Sequence, residues 1–245
     1  MPRPRYLAAY YQTYFDHADG RVTFGRIAHL ARHILRRIRP VRPGGVVRIL
    51  DFGGGDGSLA LAIAEQLSAR DSNTRVEVLV VDYHPRNPFT AGRISLSHAS
   101  DLAQVEGQFH IVLASAVLEH IPALHPVLHR LLKVVSPEGY FYARTPWVVP
   151  LARLVPGVDL AYPGHVHDLG ADFWIRAADT FAFEGSYLLS GPSPVATRLL
   201  THPLRTLVAY AAKLPAQLEN LAHSPERTSR VWRLTVGWEV LLQRD

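Results

Sequence analysis

The sequence predicts a doubly wound α/β domain built on a mostly parallel sheet, and two observations carry that expectation. From Val46 to Thr145, apolar runs of strand length alternate with segments of helical apolar spacing, the order that a parallel sheet with crossover helices requires. The first run, Val46-Val47-Arg48-Ile49-Leu50-Asp51-Phe52, passes directly into Gly53-Gly54-Gly55-Asp56-Gly57-Ser58 and then into the helical pattern Leu59 to Leu67. A strand, a glycine turn and a helix in that order bring bare backbone and the positive end of a helix dipole to a ligand, and they favour an anionic group. The length of 245 residues and the 48% hydrophobic content suit one large domain with a full core and are too little for two generous ones.

Each element follows from its pattern. Tyr6 to Phe15 and Val22 to Ile38 have helix-compatible apolar spacing, and Pro40, Pro43, Gly44 and Gly45 break the chain after them. Residues 1–45 therefore read as an N-terminal helical cap and 46–245 as the main domain. Val76 to Val81, ending at Asp82, is a second buried strand, and Arg93 to Ser97 a shorter third one. The connection between them, Tyr83 to Gly92, contains Pro85 and Pro88 and is too short for a regular crossover helix. Phe109 to Ala114 is the fourth strand, followed by helix-compatible Val117 to Ile121 and Val127 to Val135, the latter started by Pro126. Gly139 to Thr145 is the fifth strand. Ala171 to Thr180 reads as a helix, Phe183 to Leu189 as the sixth strand, and Val231 to Leu242 as a seventh and last one. Between the last two lies a helical elaboration, 195–224, which Pro203 and Pro215 should divide into short helices. These helices suit packing on the domain or on a second subunit as in a homodimer. They also suit a lid or peripheral membrane contact in which Arg198, Arg205 and Lys213 face anionic headgroups.

Composition removes several chemistries. The chain has no cysteine, which excludes disulfides, thiolate metal sites and cysteine nucleophiles, and with them cytosine-C5 methylation through a cysteine adduct. The N-terminal residues lack the apolar core of a signal peptide, and no uninterrupted apolar run approaches a membrane span, so a cytoplasmic location is expected. The net charge of +5 is carried almost wholly by arginine, Lys133 and Lys213 being the only lysines. The densest basic stretch, Arg32, Arg36, Arg37, Arg39, Arg42 and Arg48, lacks interleaved aromatics and reads as a solvated face, which disfavours nucleic acid as a partner.

In a doubly wound sheet the ligand lies beyond the carboxyl ends of the strands, so the residues that end successive strands should converge. Asp51, Asp82, Asp101 and Ser115 stand at or just beyond four such ends. A carboxylate at Asp82 has the lone pairs to accept from two ribose hydroxyls, with Tyr83 beside it. Either acid taken alone could equally be a turn or capping carboxylate.

The spacing Asp51-x-Gly53-x-Gly55-x-Gly57 resembles the first motif of class I S-adenosylmethionine-dependent methyltransferases. Val117-Leu118-Glu119-His120-Ile121 is similar to the Leu-Glu-His signature of the UbiE-like small-molecule methyltransferases, and Leu131 to Gly139 resembles their helix-turn before the fifth strand. The resemblance covers Arg48 to Thr145, with weaker similarity from His165 to Leu189. It implies a Rossmann-like, seven-stranded sheet closed by an antiparallel last strand, with S-adenosyl-L-methionine as cofactor and S-adenosyl-L-homocysteine as product. It further implies that Asp101-Leu102 is the adenine element, that Ser115 lines the methionine portion, and that the N-terminal helix, with Tyr10, Tyr11 and Tyr14, closes over the cofactor. Aromatic faces there suit a sulfonium cation. The short second crossover and the long elaboration depart from the family pattern.

Methyl transfer from a sulfonium requires alignment and exclusion of water, and a hydroxyl acceptor also needs a base. His120 and the run His165-Val166-His167-Asp168 supply imidazoles for that role, with loop hydrogen bonding as the equally weighted structural reading. The same run has the composition of a metal site, but without a further ligand set no metal is assigned. His125 and His129 read as surface residues. The fourth strand is followed by Ser115-Ala116-Val117, not by the Asn/Asp-Pro-Pro-Tyr element that methylates amide or adenine nitrogen, so a small organic acceptor is expected. Two alternatives stay open. One is a nicotinamide-dependent Rossmann oxidoreductase, whose Gly-x-Gly-x-x-Gly would need Gly or Ala where Ser58 stands. The other is a noncatalytic partner protein built on the same fold.

Overall fold

The computed structural model describes residues 26–39, 45–83, 88–146, 165–195, 203–222 and 237–245. Its strands are β1 (Val46–Phe52), β2 (Arg75–Val81), β3 (Phe89–Ala91), β4 (Ile94–Ala99), β5 (Phe109–Ser115), β6 (Val135–Thr145), β7 (Gly185–Pro192) and β8 (Trp238–Arg244). They form one sheet of eight strands in the order β3-β4-β2-β1-β5-β6-β8-β7. The pairs β4/β2, β2/β1, β1/β5 and β5/β6 are parallel, while β8 runs antiparallel to both β6 and β7. The expected antiparallel last strand is therefore present, inserted between its two neighbours. The eighth strand is an addition. β3 occupies the connection that is too short for a crossover helix, and it pairs antiparallel with β4 so that the chain enters β4 from a hairpin.

The helices are α1 (Ile27–Leu35), α2 (Ser58–Arg70), α3 (Leu124–Lys133), α4 (Ala171–Thr180) and α5 (Pro203–Ala222). Alternation along the central strands sends neighbouring side chains to opposite faces. Ile49, Ile111, Leu113, Tyr142 and Leu241 pack with Leu30, Ile34, Ile63 and Leu67 of α1 and α2. Leu50, Val112, Phe141 and Leu242 pack on the other face with Leu128, Leu131, Trp174 and Ala177 of α3 and α4. Two apolar layers of this kind hold the sheet from both sides, which is why its central strands read as nearly continuous apolar runs.

Several boundaries differ from the sequence expectation. Val117 to Ile121 is not a regular helix; it forms a single 3₁₀ turn, Leu118–His120. β6 begins at Val135 and not at Gly139, because Ser136 to Gly139 is absorbed as a bulge: Phe109 pairs with Val135 and Ile111 already with Tyr140, and Glu138 takes a positive φ of 59°. Pro215 does not divide the elaboration, since α5 runs unbroken for 20 residues. Pro203 sits at its first position, where no backbone donor is needed, and Pro215 removes one helical donor without ending the helix.

Lys213 is the second correction in this segment. It is buried, and its Nζ donates to the Ser193 carbonyl at 2.6 Å and to Ser193 Oγ at 3.1 Å, so it cannot face lipid headgroups. Burial lowers its pKa to about 8, opposed by Glu239. Leu204, Leu207, Val208, Leu214 and Leu218 of α5 are exposed. Glu239 on β8 is buried and doubly bonded: it accepts from Tyr142 Oη at 2.8 Å and pairs with His33 Nε2 at 2.8 Å, tying α1 to the sheet. Arg198, Arg42 and the N-terminal tyrosines, Tyr14 included, lie outside the described residues. No described helix is long and apolar enough to cross a membrane.

Candidate functional site

The parallel strands β4, β2, β1, β5 and β6 point their carboxyl ends to one edge, and the site is assembled from what stands there. Each end is bonded to its neighbour's backbone. Asp82 N donates to Ala99 O at 3.1 Å, Gly53 N to Val81 O at 2.8 Å, and Ala116 N to Arg144 O at 2.7 Å. The glycine turn is thus fixed between two strand ends.

Three of its glycines adopt left-handed backbone: Gly53 at φ 67°, Gly55 at 56° and Gly57 at 75°. Their surroundings differ. A β-carbon at Gly53 would lie 2.3 Å from Val117 Cγ2, and one at Gly54, whose φ is not positive, 2.4 Å from Asp51 Cγ, so packing demands glycine at both. A β-carbon at Gly55 would meet nothing within 4 Å. The structure is open there, as a backbone that must accept a ligand requires. Gly55 N donates to Asp82 Oδ2 at 2.9 Å, which places the Asp82 carboxylate against the turn.

Asp51 is 2% exposed, and its Oδ2 has no hydrogen-bond partner among the described residues. Burial lifts its pKa from 3.8 to about 7; a bond from the Ala60 backbone opposes this, while the charges of Asp82 and Asp56 add to it. An orphaned, buried carboxylate oxygen of this kind is an acceptor awaiting a cationic or donor group. With Gly53, Gly54, Asp56, Ser58, Ser115 and Arg144 it lines a cavity of about 60 Å³, to which Ile27 and Leu30 of α1 also contribute. Arg144 Nε donates to Ser115 Oγ at 3.2 Å, spanning β6 and β5. Ser58 and Asp56 bond to each other at the start of α2.

Asp101 stands one strand further out, after β4. Its Oδ1 accepts from Ala103 N at 2.8 Å and caps the 3₁₀ turn Leu102–Gln104, with Leu102 buried beneath. Tyr83 follows Asp82 and is largely exposed.

The histidines of the two sequence-distant motifs meet at the turn that follows β5. Val166 N and His167 N both donate to Glu119 O, at 2.8 and 3.2 Å, so the loop after β6 docks on the 3₁₀ turn Leu118–His120. The rings of His120 and His165 lie 4.8 Å apart. His167 Nε2 is 2.9 Å from Ile121 O. A carbonyl only accepts, so Nε2 carries the proton and Nδ1 is the basic nitrogen of His167. Glu119 is 2% exposed, burial raises its pKa to about 7 against the pull of Arg144, and its Oε2 has no hydrogen-bond partner among the described residues.

A family model described as a methyltransferase domain matches residues 11–185. The chain belongs to this family. Over 115 residues it is 30% identical to methyltransferase str3 of Strobilurus tenacellus, a match covering 45% of this chain and 39% of the relative. The chain thus spans about two fifths of the length of that curated relative. A solved S-adenosylmethionine-dependent methyltransferase of Mesorhizobium loti has the same fold, with a TM-score of 0.50 at 15% identity over 87% of this chain and 96% of that one. So does the [4+2]-cyclase SpnF, at 0.52 and 18% identity over 93% and 84%.

For a member of the methyltransferase-domain family, the sequence-selected acids, glycines and Ser115 stand in strand order along one edge, while His120, His165 and His167 gather to one side of it. Two contributors escaped sequence reasoning. Arg144 could have been found by the same strand-end rule that selects Ser115, since it is the penultimate residue of β6. Glu119 was read only as a motif letter; nothing in a sequence shows that its carboxylate turns inward. Arg48 leaves the supposed solvated face: its guanidinium stacks 4.5 Å over Phe109 and donates to Gln108 O at 3.0 Å.

Proposed function

We propose that the protein is an S-adenosyl-L-methionine-dependent methyltransferase acting on a small organic acceptor through an oxygen, nitrogen or carbon nucleophile. The observation that carries this reading is the pairing of an open glycine at Gly55 with the orphaned Asp51 Oδ2 across one turn, in a chain of the methyltransferase-domain family. The residues present suit the cofactor. Asp51 offers a buried carboxylate to its cationic amino group. Asp82 offers one to the ribose hydroxyls; Gly55 leaves the backbone open to the ligand, while Gly53 and Gly57 supply the left-handed turn that packing holds around it. Asp101, with lone pairs left after capping Ala103, and Leu102 fit the adenine, and Ser115 fits the methionyl chain with Tyr83 nearby; Tyr14 is carried as a cofactor contact on the sequence resemblance alone.

When bound, the cofactor supplies an electrophilic methyl group. The chain's own contribution is to orient the acceptor, exclude water and remove a proton where the acceptor is a hydroxyl. His120, His165 and His167 are our candidates for the proton, the last through Nδ1. The same reading treats residues 1–45 as a cap on a catalytic domain formed by 46–245, elaborated at 195–224.

Calorimetry tests the proposal directly. S-adenosyl-L-homocysteine should bind in the low-micromolar range, on the order of a typical metabolite affinity, while NAD gives no heat. Binding of NAD without binding of S-adenosyl-L-homocysteine would assign the fold to nicotinamide chemistry instead.

A further inference from the structure

We propose that Glu119, His120 and His165 bind a divalent transition-metal ion of the zinc class beside the cofactor pocket. One carboxylate oxygen and one ring nitrogen from each histidine all lie within 4.8 Å of one another. Glu119 Oε1 and His120 Nε2 are 3.9 Å apart. Ligands at about 2.1 Å from a tetrahedral ion stand roughly 3.4 Å from each other. The triad is therefore within about 1.5 Å of metal-binding geometry, a gap that rotation of two half-buried imidazoles can close.

The chemistry of the donors selects the ion. Two imidazoles and one carboxylate suit zinc, cobalt, nickel or iron, whereas magnesium and calcium prefer all-oxygen shells. The second observation is the Glu119 carboxylate itself, on a side chain that is 2% exposed: Oε1 is the oxygen near His120, and Oε2 has no hydrogen-bond partner among the described residues. Leaving such an atom without a partner is costly, and a cation satisfies it. The scaffold is also fixed by the paired bonds from Val166 N and His167 N to Glu119 O, while His167 holds Ile121. The His-x-His-Asp run is thus not itself the chelate. His165 joins ligands from the turn after β5, and His167 anchors the loop that delivers it.

Placement suggests what the ion does. Val117, directly before the triad's turn, packs against Gly53, so the site abuts the glycine turn. Arg144 acts electrostatically on Glu119 and also lines the cavity with Asp51. Three protein ligands leave coordination positions open, and with His120 and His165 on the ion the general base of the proposed reaction is His167. An ion there would hold a hydroxyl-bearing acceptor and lower the pKa of its oxygen. That use rests on the methyltransferase reading; the metal site does not.

The test uses the full chain after treatment with a chelator, titrated with Zn²⁺ alone against a competing chelator. One tight equivalent is expected, and Mg²⁺ should not displace it. His120→Gln and His165→Gln keep a polar side chain for loop packing and should weaken Zn²⁺ by about a hundredfold or more, given that even the loss of outer-sphere support costs 10–100-fold. His129→Ala, on the exposed side of α3, should leave it unchanged. No tight equivalent in the unmutated chain, or one that survives both glutamine variants, overturns the proposal. Should the variants fail to fold, Co²⁺ on the unmutated chain decides: intense low-coordinate ligand-field bands support the site, and an aquo-like spectrum overturns it. S-adenosyl-L-homocysteine binding is measured in the same samples. Zinc uptake without it keeps the metal site and removes the methyltransferase reading, and the reverse result does the opposite.

Discussion

Replacing Asp51 by asparagine should stabilise the ligand-free protein at alkaline pH while weakening its hold on the cofactor. Asp51 is 2% exposed, and burial lifts its pKa from 3.8 to about 7. For an acid whose pKa is raised by folding, the native state binds more protons than the unfolded one. Stability from this group is therefore complete below about pH 4, declines as pH rises, and is lost by about pH 7. A shift of about three units at roughly 1.4 kcal/mol each sets an upper bound of about 4 kcal/mol, and local relaxation could halve it. Asparagine mimics the neutral acid, including its acceptor for the Ala60 amide, but cannot ionise. At about pH 8, Asp51→Asn should be more stable by about 2–4 kcal/mol, which for a chain of this size is on the order of 5–15 °C in Tm.

Thermal melts of both proteins across about pH 4 to 8 provide the assay. The two should coincide at the acid end and diverge steadily above it. The wild-type slope contains a second part of the same sign from Glu119, whose pKa is likewise raised to about 7, so the variant should retain a reduced slope. In the same variant, loss of a charge-assisted bond to the cofactor's amino group should weaken S-adenosyl-L-homocysteine about tenfold or more. A variant with the wild-type pH slope, or one less stable at pH 8, would refute the assignment of an ionisable burden to this site.

Two further substitutions separate ligand contact from packing. Gly55→Val should abolish S-adenosyl-L-homocysteine binding while the fold survives, because its β-carbon meets nothing and only the left-handed φ of 56° is strained; normal binding by this variant would put the pocket elsewhere. Asp82→Ala should weaken S-adenosyl-L-homocysteine by about thirtyfold or more, from roughly 2–4 kcal/mol of lost hydrogen bonding, and should weaken adenine far less; an equal loss for both would mark Asp82 as a brace for Gly55 and not a ribose ligand.

The sheet was legible because its strands are buried on both faces and so write themselves as apolar runs, each ended by a polar or glycine residue. The glycine motif was legible for a related reason: left-handed backbone at three alternate positions excludes most other residues, and the sequence must show it. What failed were features that tertiary context decides. Pro215 reads as a breaker, yet one missing donor in a 20-residue helix is tolerable when the rest of the helix is held. Lys213 reads as a surface cation, yet the Ser193 carbonyl takes it inside. β3 is three exposed residues long, with too little pattern to announce itself.

Among the described residues, buried carboxylates are of two kinds, fully bonded and half satisfied. Glu239 is as deeply buried as Asp51, yet its two oxygens bond Tyr142 and His33, so it serves as a structural tie between α1 and the sheet. Asp51 and Glu119 each keep one oxygen without a partner among the described residues, and both stand at the carboxyl edge, Asp51 at the penultimate position of β1 and Glu119 in the turn after β5. Burying a carboxylate half satisfied is unfavourable in isolation. A cation or donor that completes each one offsets that cost. Asp51 faces the glycine turn and Glu119 faces two histidines, so the two completions differ in kind: a cationic organic group at the first, a metal ion at the second. The same edge thus holds two separable demands for a ligand, which is the arrangement expected of an enzyme that must bring a donor and an acceptor together.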